Sequence, residues 1–363
     1  MQNATSIIFL LSIVVSAALV AQCSVRARGR LNLLLLTITW AILAVPAAVR
    51  TSGADFAQYI QMYYFVSTGG VNVPILSNIE IGYKLLNYVC FMLFDSAQSV
   101  IVVSALLTMA FFVGAFAKGP SRRHLGLTVF VFGFTSYFMT YILVRNMLGL
   151  SIAFYALATF ERKRVLRYVL MVIIGSAFHY AVLLFFLPVP VWLFYGRVRL
   201  WPFIAVSAGF VLFVSTIGID LAAQLFPRFA VSITGDQHLA LAIGPYQAAM
   251  FLAWLFVTPM FFLSKSQYGP LGVYFSFYSL AIIFILFMVR MPIMSRIAYV
   301  FMPSLAFLLP PLLNFNFLGD SKWRGQLKFL SVILVAVYGV VLMVAGLTDE
   351  LSFMLPYSSI FQR

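Results

Sequence analysis

Apolar runs of roughly bilayer-spanning length follow one another along almost the whole chain, and most of them end in a short cluster of arginine and lysine. About 20 apolar residues in a row cross a bilayer as a helix. In lipid the backbone must satisfy its own hydrogen bonds, and without the alternation of barrel strands only helices do so. The expected architecture is therefore an all-α polytopic membrane protein. Composition agrees: 63% of the 363 residues are hydrophobic and 9% are charged, which excludes a soluble globule with a polar coat. No long linker, internal repeat or separate soluble domain interrupts the pattern, so residues 1–363 read as a single transmembrane domain.

A formal charge of +14 would suit nucleic acid in a soluble protein. Here the cations stand at the ends of apolar runs, where they set topology. The lipid bilayer is the expected partner, and nucleic acid is not.

Residues 5–22 form the first expected span, retained rather than cleaved because no basic region precedes it. Arg26, Arg28 and Arg30 hold its end inside. Residues 31–48 return outward, and 98–117 lead in again to Lys118, Arg122 and Arg123. The interval 125–160 must then cross twice, with a tight outer turn near 141–148, and 168–195 must do the same around 175–180. These passes are short, so their turns are expected below the outer surface in a protein-lined recess. Residues 200–218, 248–263, 271–289, 297–313 and 329–346 complete about 12 passes, within a range of 10 to 14. Cys23 and Cys90 fall at opposite faces in this topology, so no disulfide joins them.

Two polar intervals lie on the external side. Residues 219–247 carry Asp220, Arg228, Asp236 and His238. The longer interval, 49–97, carries Arg50, Asp55 and Glu80. Within it, 55–67 and 80–94 have the periodicity of short surface helices, with Ile81, Leu85, Tyr88 and Val89 on one face.

The external side thus collects Arg50, Asp55, Glu80, Arg145, His179, Arg290 and Arg296. Charges are rare at membrane depth, and arginines outside run against the positive-inside bias. One such arginine is accounted for by an anchoring ion pair or by snorkelling. Several at helix ends around one recess are better accounted for by a bound anion, because guanidinium groups grip phosphate oxygens bidentately. His179 reads either as a satisfied core histidine or as a general base. Asp55 and Glu80 read as struts paired with Arg50 and Lys84, or as proton acceptors. Gly53 and Gly82 read as backbone requirements, and Tyr59, Tyr83 and Tyr137 as membrane packing or as platforms for sugar rings. There is no phosphate-binding Gly-rich loop, no metal-ligand spacing and no Gly-x-Ser-x-Gly elbow. No cofactor or metal is expected.

In order along the chain, Arg50-x-x-Gly53-x-Asp55-x-x-x-Tyr59, Glu80-x-Gly82-Tyr83-x-x-Leu86-Asn87, Arg145-Asn146 with Ser151-Ile152-Ala153, Phe178-His179, Arg296-x-x-Tyr299 and Pro356-Tyr357 form a set. This set resembles the EpsG-like branch of the Wzy-type polysaccharide polymerases. It departs from that pattern at Arg145-Asn146-Met147, where a more polar stretch around the arginine is expected, and residues 219–247 have no counterpart in it.

The resemblance implies a GT-C-type glycosyltransferase of the bacterial inner membrane. Such an enzyme joins oligosaccharide repeat units carried on undecaprenyl pyrophosphate, as donor and as acceptor, at the periplasmic face. A separate chain-length regulator is a family-level expectation. In that chemistry Arg50, Arg145, Arg290 and Arg296 would stabilise the departing pyrophosphate. His179, with Asp55 and Glu80 behind it, would take the proton of the attacking hydroxyl. An O-antigen ligase-like transferase would use the same donor, and a flippase of lipid-linked oligosaccharides would use the same charges along a central path.

Overall fold

The computed structural model describes residues 2–53, 55–161, 164–186, 245–264, 271–288, 293–314, 323–348 and 357–362. Numbering the described α-helices in chain order, the first part of the chain forms α1 (Gln2–Arg26), α2 (Gly29–Val49), α3 (Phe56–Gly69), α4 (Ile81–Phe94), α5 (Ala97–Lys118), α6 (Leu125–Phe132), α7 (Val144–Ala158) and α8 (Val165–Ser176). After residue 244 come α9 (Pro245–Leu263), α10 (Leu271–Met288), α11 (Ile293–Phe301), α12 (Ser304–Leu312) and α13 (Trp323–Thr348). Among the described residues there is no strand, only one isolated bridge between Arg50 and Ser359. The chain is a multi-pass membrane protein.

Among the described residues, four helices are long and apolar enough to cross a membrane: Asn3–Arg26, Gly29–Val49, Ala97–Lys118 and Gly325–Val344. Shorter apolar helices accompany them: Ile81–Phe94, Val144–Ala158, Val165–Ser176, Gln247–Leu263 and Leu271–Leu286. Ile8 and Leu19 on α1, Leu33 and Leu34 on α2, and Phe329 and Val341 on α13 are exposed. Apolar faces turned away from the protein core are what a lipid solvent selects. α5 is different, with 56% of its apolar window buried against 28% for α2, so it is a central helix around which others pack.

The chain falls into two compact units, residues 1–187 with 335–363, and residues 188–334. In the first unit α5 packs on α2 and α7, and α1 packs on α2 and α6. The indole of Trp40 on α2 donates to the Leu106 carbonyl of α5 at 2.9 Å, and Gln22 at the end of α1 accepts from the backbone of Gly126 at the start of α6 at 3.1 Å. α7 and α8 approach at Gly149 and Gly175, where a Cβ on Gly149 would lie 2.6 Å from the Gly175 carbonyl oxygen.

The interval 125–160 turns as expected, but not through two plain helices. α6 runs into a π-turn (Gly133–Tyr137) and a 3₁₀ turn (Phe138–Tyr141) before the chain reverses at Ile142 and Leu143. Every residue from Phe132 to Tyr141 is buried, so this irregular backbone is lined by protein, the setting in which a membrane protein tolerates it. The second short reversal also appears: α8 stops at Ser176 and a 3₁₀ helix (Tyr180–Phe186) follows. In the second unit the expected pass 297–313 is two helices, α11 and α12, meeting at Met302 and Pro303, where proline supplies no N–H. Most of the expected second external loop lies outside the described residues.

α3 and α4 begin and end close to their expected bounds. Ile81, Leu85, Tyr88 and Val89 form an exposed face of α4, whereas Tyr83, Asn87 and Cys90 are buried. Cys23 and Cys90 are both free thiols.

Candidate active site at the ends of α2, α4, α7 and α8

Three helix ends converge because the residue beside each polar group is anchored in one apolar cluster. Tyr83 follows Glu80 by one turn, Val144 precedes Arg145, and Phe178 precedes His179. All three anchors join Tyr59, Tyr63, Cys90, Val100 and Ile101 in a single cluster. Burying these side chains together stabilises the fold and leaves their polar neighbours facing one another.

Glu80 is the centre of the result. Its side chain is 4% exposed. Oε2 accepts from Arg145 Nη1, and Oε1 lies 3.0 Å from His179 Nδ1. Oε1 also accepts from the backbone N–H of Tyr180 at 3.3 Å. Burial alone pushes the Glu80 carboxyl up, but the His179 hydrogen bond and the Arg145 charge outweigh it and hold the carboxyl below its ordinary value of 4.5. Glu80 is thus a carboxylate at neutral pH, and its partners are Arg145 and His179 rather than Arg50 and Lys84. The neutral tautomer that fits a carboxylate at Nδ1 carries its proton on Nδ1, with Nε2 as the acceptor nitrogen.

The backbone makes this contact possible at Gly82, whose N–H donates to the Ala177 carbonyl at 2.8 Å. A Cβ on Gly82 would lie 2.6 Å from that oxygen. Gly53 is the second such position: at φ +126° its Cβ would meet the Tyr141 carbonyl oxygen at 2.9 Å. Both glycines therefore serve the backbone.

Arg50 approaches the same turn from the other side. It is 1% exposed, its Nη2 donates to the Tyr141 carbonyl at 2.7 Å, and its guanidinium lies 5.3 Å from the centre of the Tyr141 ring. Among the described residues, its Nε and Nη1 have no hydrogen-bond partner. Burial pulls its pKa down, yet an arginine keeps its proton. A buried cation with unmet donors is costly unless something accepts from them. Arg50 and Arg145 are both electrostatic neighbours of the Tyr59 and Tyr83 hydroxyls, so two guanidinium groups and one carboxylate share this end of the bundle.

The remaining candidates separate. Asp55 precedes α3 without capping it through its side chain, and nothing joins its carboxylate to Glu80 among the described residues. Tyr59, Tyr83 and Tyr137 are 5%, 0% and 0% exposed, so none offers an open ring face to a sugar; burial among apolar helices has made them packing residues. Tyr59 donates to the Ile142 carbonyl at 3.0 Å, and Tyr137 donates to the Leu43 carbonyl at 2.9 Å. Arg290 lies outside the described residues. Arg296 falls in α11 of the second unit, and its side chain lies outside them too.

Three contributors carried no signal as site residues. Tyr141 matters through its carbonyl and its ring. Gln98 donates to the Ala48 carbonyl at 2.9 Å and to the Arg50 carbonyl at 3.1 Å, and an isolated glutamine has no motif. Tyr357 is a member of the Pro356-Tyr357 pair, but its neighbours in space are far away in the chain.

The family model described as the EpsG family matches residues 33–359. Neither the comparison with curated proteins nor that with solved structures gave a match. The matched span contains every residue of the cluster around Glu80, from Arg50 to His179, together with Tyr357, and covers most of the chain, which therefore belongs to the EpsG family.

Proposed function

We propose that this protein is a membrane glycosyltransferase of GT-C type that polymerises oligosaccharide repeat units. Its donor and acceptor are undecaprenyl-pyrophosphate-linked oligosaccharides, met at the periplasmic face of the bacterial inner membrane. Family membership across residues 33–359 carries the reading as a polysaccharide polymerase. The Glu80 bridge to Arg145 and His179 supports the mechanism.

In that mechanism the acceptor hydroxyl gives its proton to His179 Nε2 while Glu80 holds Nδ1–H. The hydroxyl oxygen forms a bond to the anomeric carbon of the donor. The bond from that carbon to pyrophosphate breaks, and its electron pair leaves on the pyrophosphate oxygen. Arg145, using donors beyond the one on Glu80, stabilises the charge that develops there, and Arg50 adds its positive charge from its buried place beside the cluster. Preorganised guanidinium groups supply positive charge without a divalent cation.

The test is the glycan profile of a deletion strain complemented with wild type or Arg145→Ala at equal protein level. Single repeat units on the acceptor in the deletion, with long chains restored only by wild type, is the expected result. Lipid-linked long chains would make the protein a ligase. Units trapped on the cytoplasmic side would make it a flippase.

A further inference from the structure

Arg50 owes its direction to a segment more than three hundred residues away in sequence. α2 ends at Val49, and Arg50 takes an extended conformation, φ −65° and ψ 151°. A helix end leaves its last carbonyls without intrahelical donors. Here Gln98 satisfies the Ala48 carbonyl, and the Tyr357 hydroxyl donates to the Pro46 carbonyl at 2.8 Å. Next to this, Arg50 pairs with Ser359 in an antiparallel bridge. The Thr51 N–H donates to the Ser358 carbonyl at 2.9 Å, and the Thr51 and Ser358 hydroxyls are 2.9 Å apart. The segment is itself held to α1: the Tyr357 N–H donates to Ser6 Oγ at 3.0 Å, and its ring lies 5.3 Å from that of Phe9.

We infer that residues 357–359 are a positioning strap for Arg50, fixing the turn after α2 so that the guanidinium points inward onto the Tyr141 carbonyl beside the Glu80 cluster. Without the strap, Pro46 loses its donor and the extended pair at Arg50 and Thr51 has no partner strand. The side chain then has no reason to stay buried with unmet donors. The strap holds its position through turnover and does not open as a lid, because Tyr357 satisfies the Pro46 carbonyl of a membrane-spanning helix and Ser358 accepts from the Thr51 N–H just beyond it. What Arg50 does for the substrate rests on the polymerase reading. The strap itself does not.

The first test needs no activity. In membranes from a Cys23→Ala background, Arg50→Cys is reacted with a water-soluble maleimide, with and without deletion of residues 357–363. Labelling at least tenfold faster after the deletion is expected, and equal rates would overturn the proposal.

The second test uses polymer yield at matched protein level. Deletion should lower yield as much as Arg50→Ala does, and adding it to Arg50→Ala should cost nothing further. An additional loss there would mean a merely structural role and overturn the proposal. Tyr357→Phe, which removes only the hydroxyl, guards against misfolding and should give an intermediate loss; a yield equal to wild type would count against the strap. Finally, Thr51→Cys with Ser358→Cys, oxidised to a disulfide, should keep yield within about twofold. Loss on oxidation that a reductant reverses would show a lid instead. If wild type itself restores no polymer, the polymerase reading fails while the labelling rates still decide the strap.

Discussion

Glu80 binds Arg145 with one carboxylate oxygen and His179 with the other, the second at 3.0 Å. The three residues come from the start of α4, the first turn of α7 and the turn after α8. One carboxylate therefore sets the geometry of both a guanidinium and an imidazole, and it does so from a site almost closed to solvent.

His179→Ala should lower polymer formation by roughly 100-fold to 10,000-fold, the usual contribution of a general base. Glu80→Gln keeps the shape but not the charge, and should lose polymer while His179 is intact. Both are read from the length distribution of surface polysaccharide at matched protein level. Full-length chains from His179→Ala would remove the histidine from the mechanism.

Arg145→Lys keeps a charge but not the planar fork of donors. Polymer yield close to that of Arg145→Ala is expected. If lysine restores wild-type chains, charge alone suffices and the bidentate argument fails.

Gly82→Ala places a methyl group 2.6 Å from the Ala177 carbonyl oxygen, which forces the Glu80 and His179 turns apart. A destabilisation of about 1–3 kcal/mol is expected, with a fall in polymer although no charged side chain has changed. Thermal unfolding in detergent beside the glycan profile measures both; an unaltered protein would mean that the two turns have room to move.

Acid should unpick the same cluster. Glu80 has a folded-state pKa below its ordinary 4.5. Its contribution to stability is therefore complete above that ordinary value and is lost as pH falls through the lowered one. Melting temperature should drop more steeply with acid for wild type than for Glu80→Gln between about pH 6 and pH 3. Parallel curves would assign the acid sensitivity to other carboxylates.

Much of the architecture was legible because lipid is a demanding solvent. It requires helices, their lengths follow from bilayer thickness, and charges collect at their ends. Helices α3 and α4, the reversal within 125–160 and the reversal before His179 all follow from apolar periodicity and the spacing of basic clusters. The choice of Arg50, Glu80, Arg145 and His179 as residues needing a reason follows from the scarcity of charge at that depth.

Partnership was a different matter. Glu80 and Arg145 are 65 residues apart, and nothing local favours that pair over Glu80 with Lys84 one turn away. Packing of Tyr83, Val144 and Phe178 into one cluster decided it, since it brings those three turns together. The same packing closes over the rings of Tyr59 and Tyr83. It also brought Tyr357 beside Pro46, 311 residues away. Membrane solvation determined from sequence alone which segments are helices and where charge is exceptional; side-chain burial in three dimensions determined which charges meet, because that energy depends on neighbours that chain order does not specify.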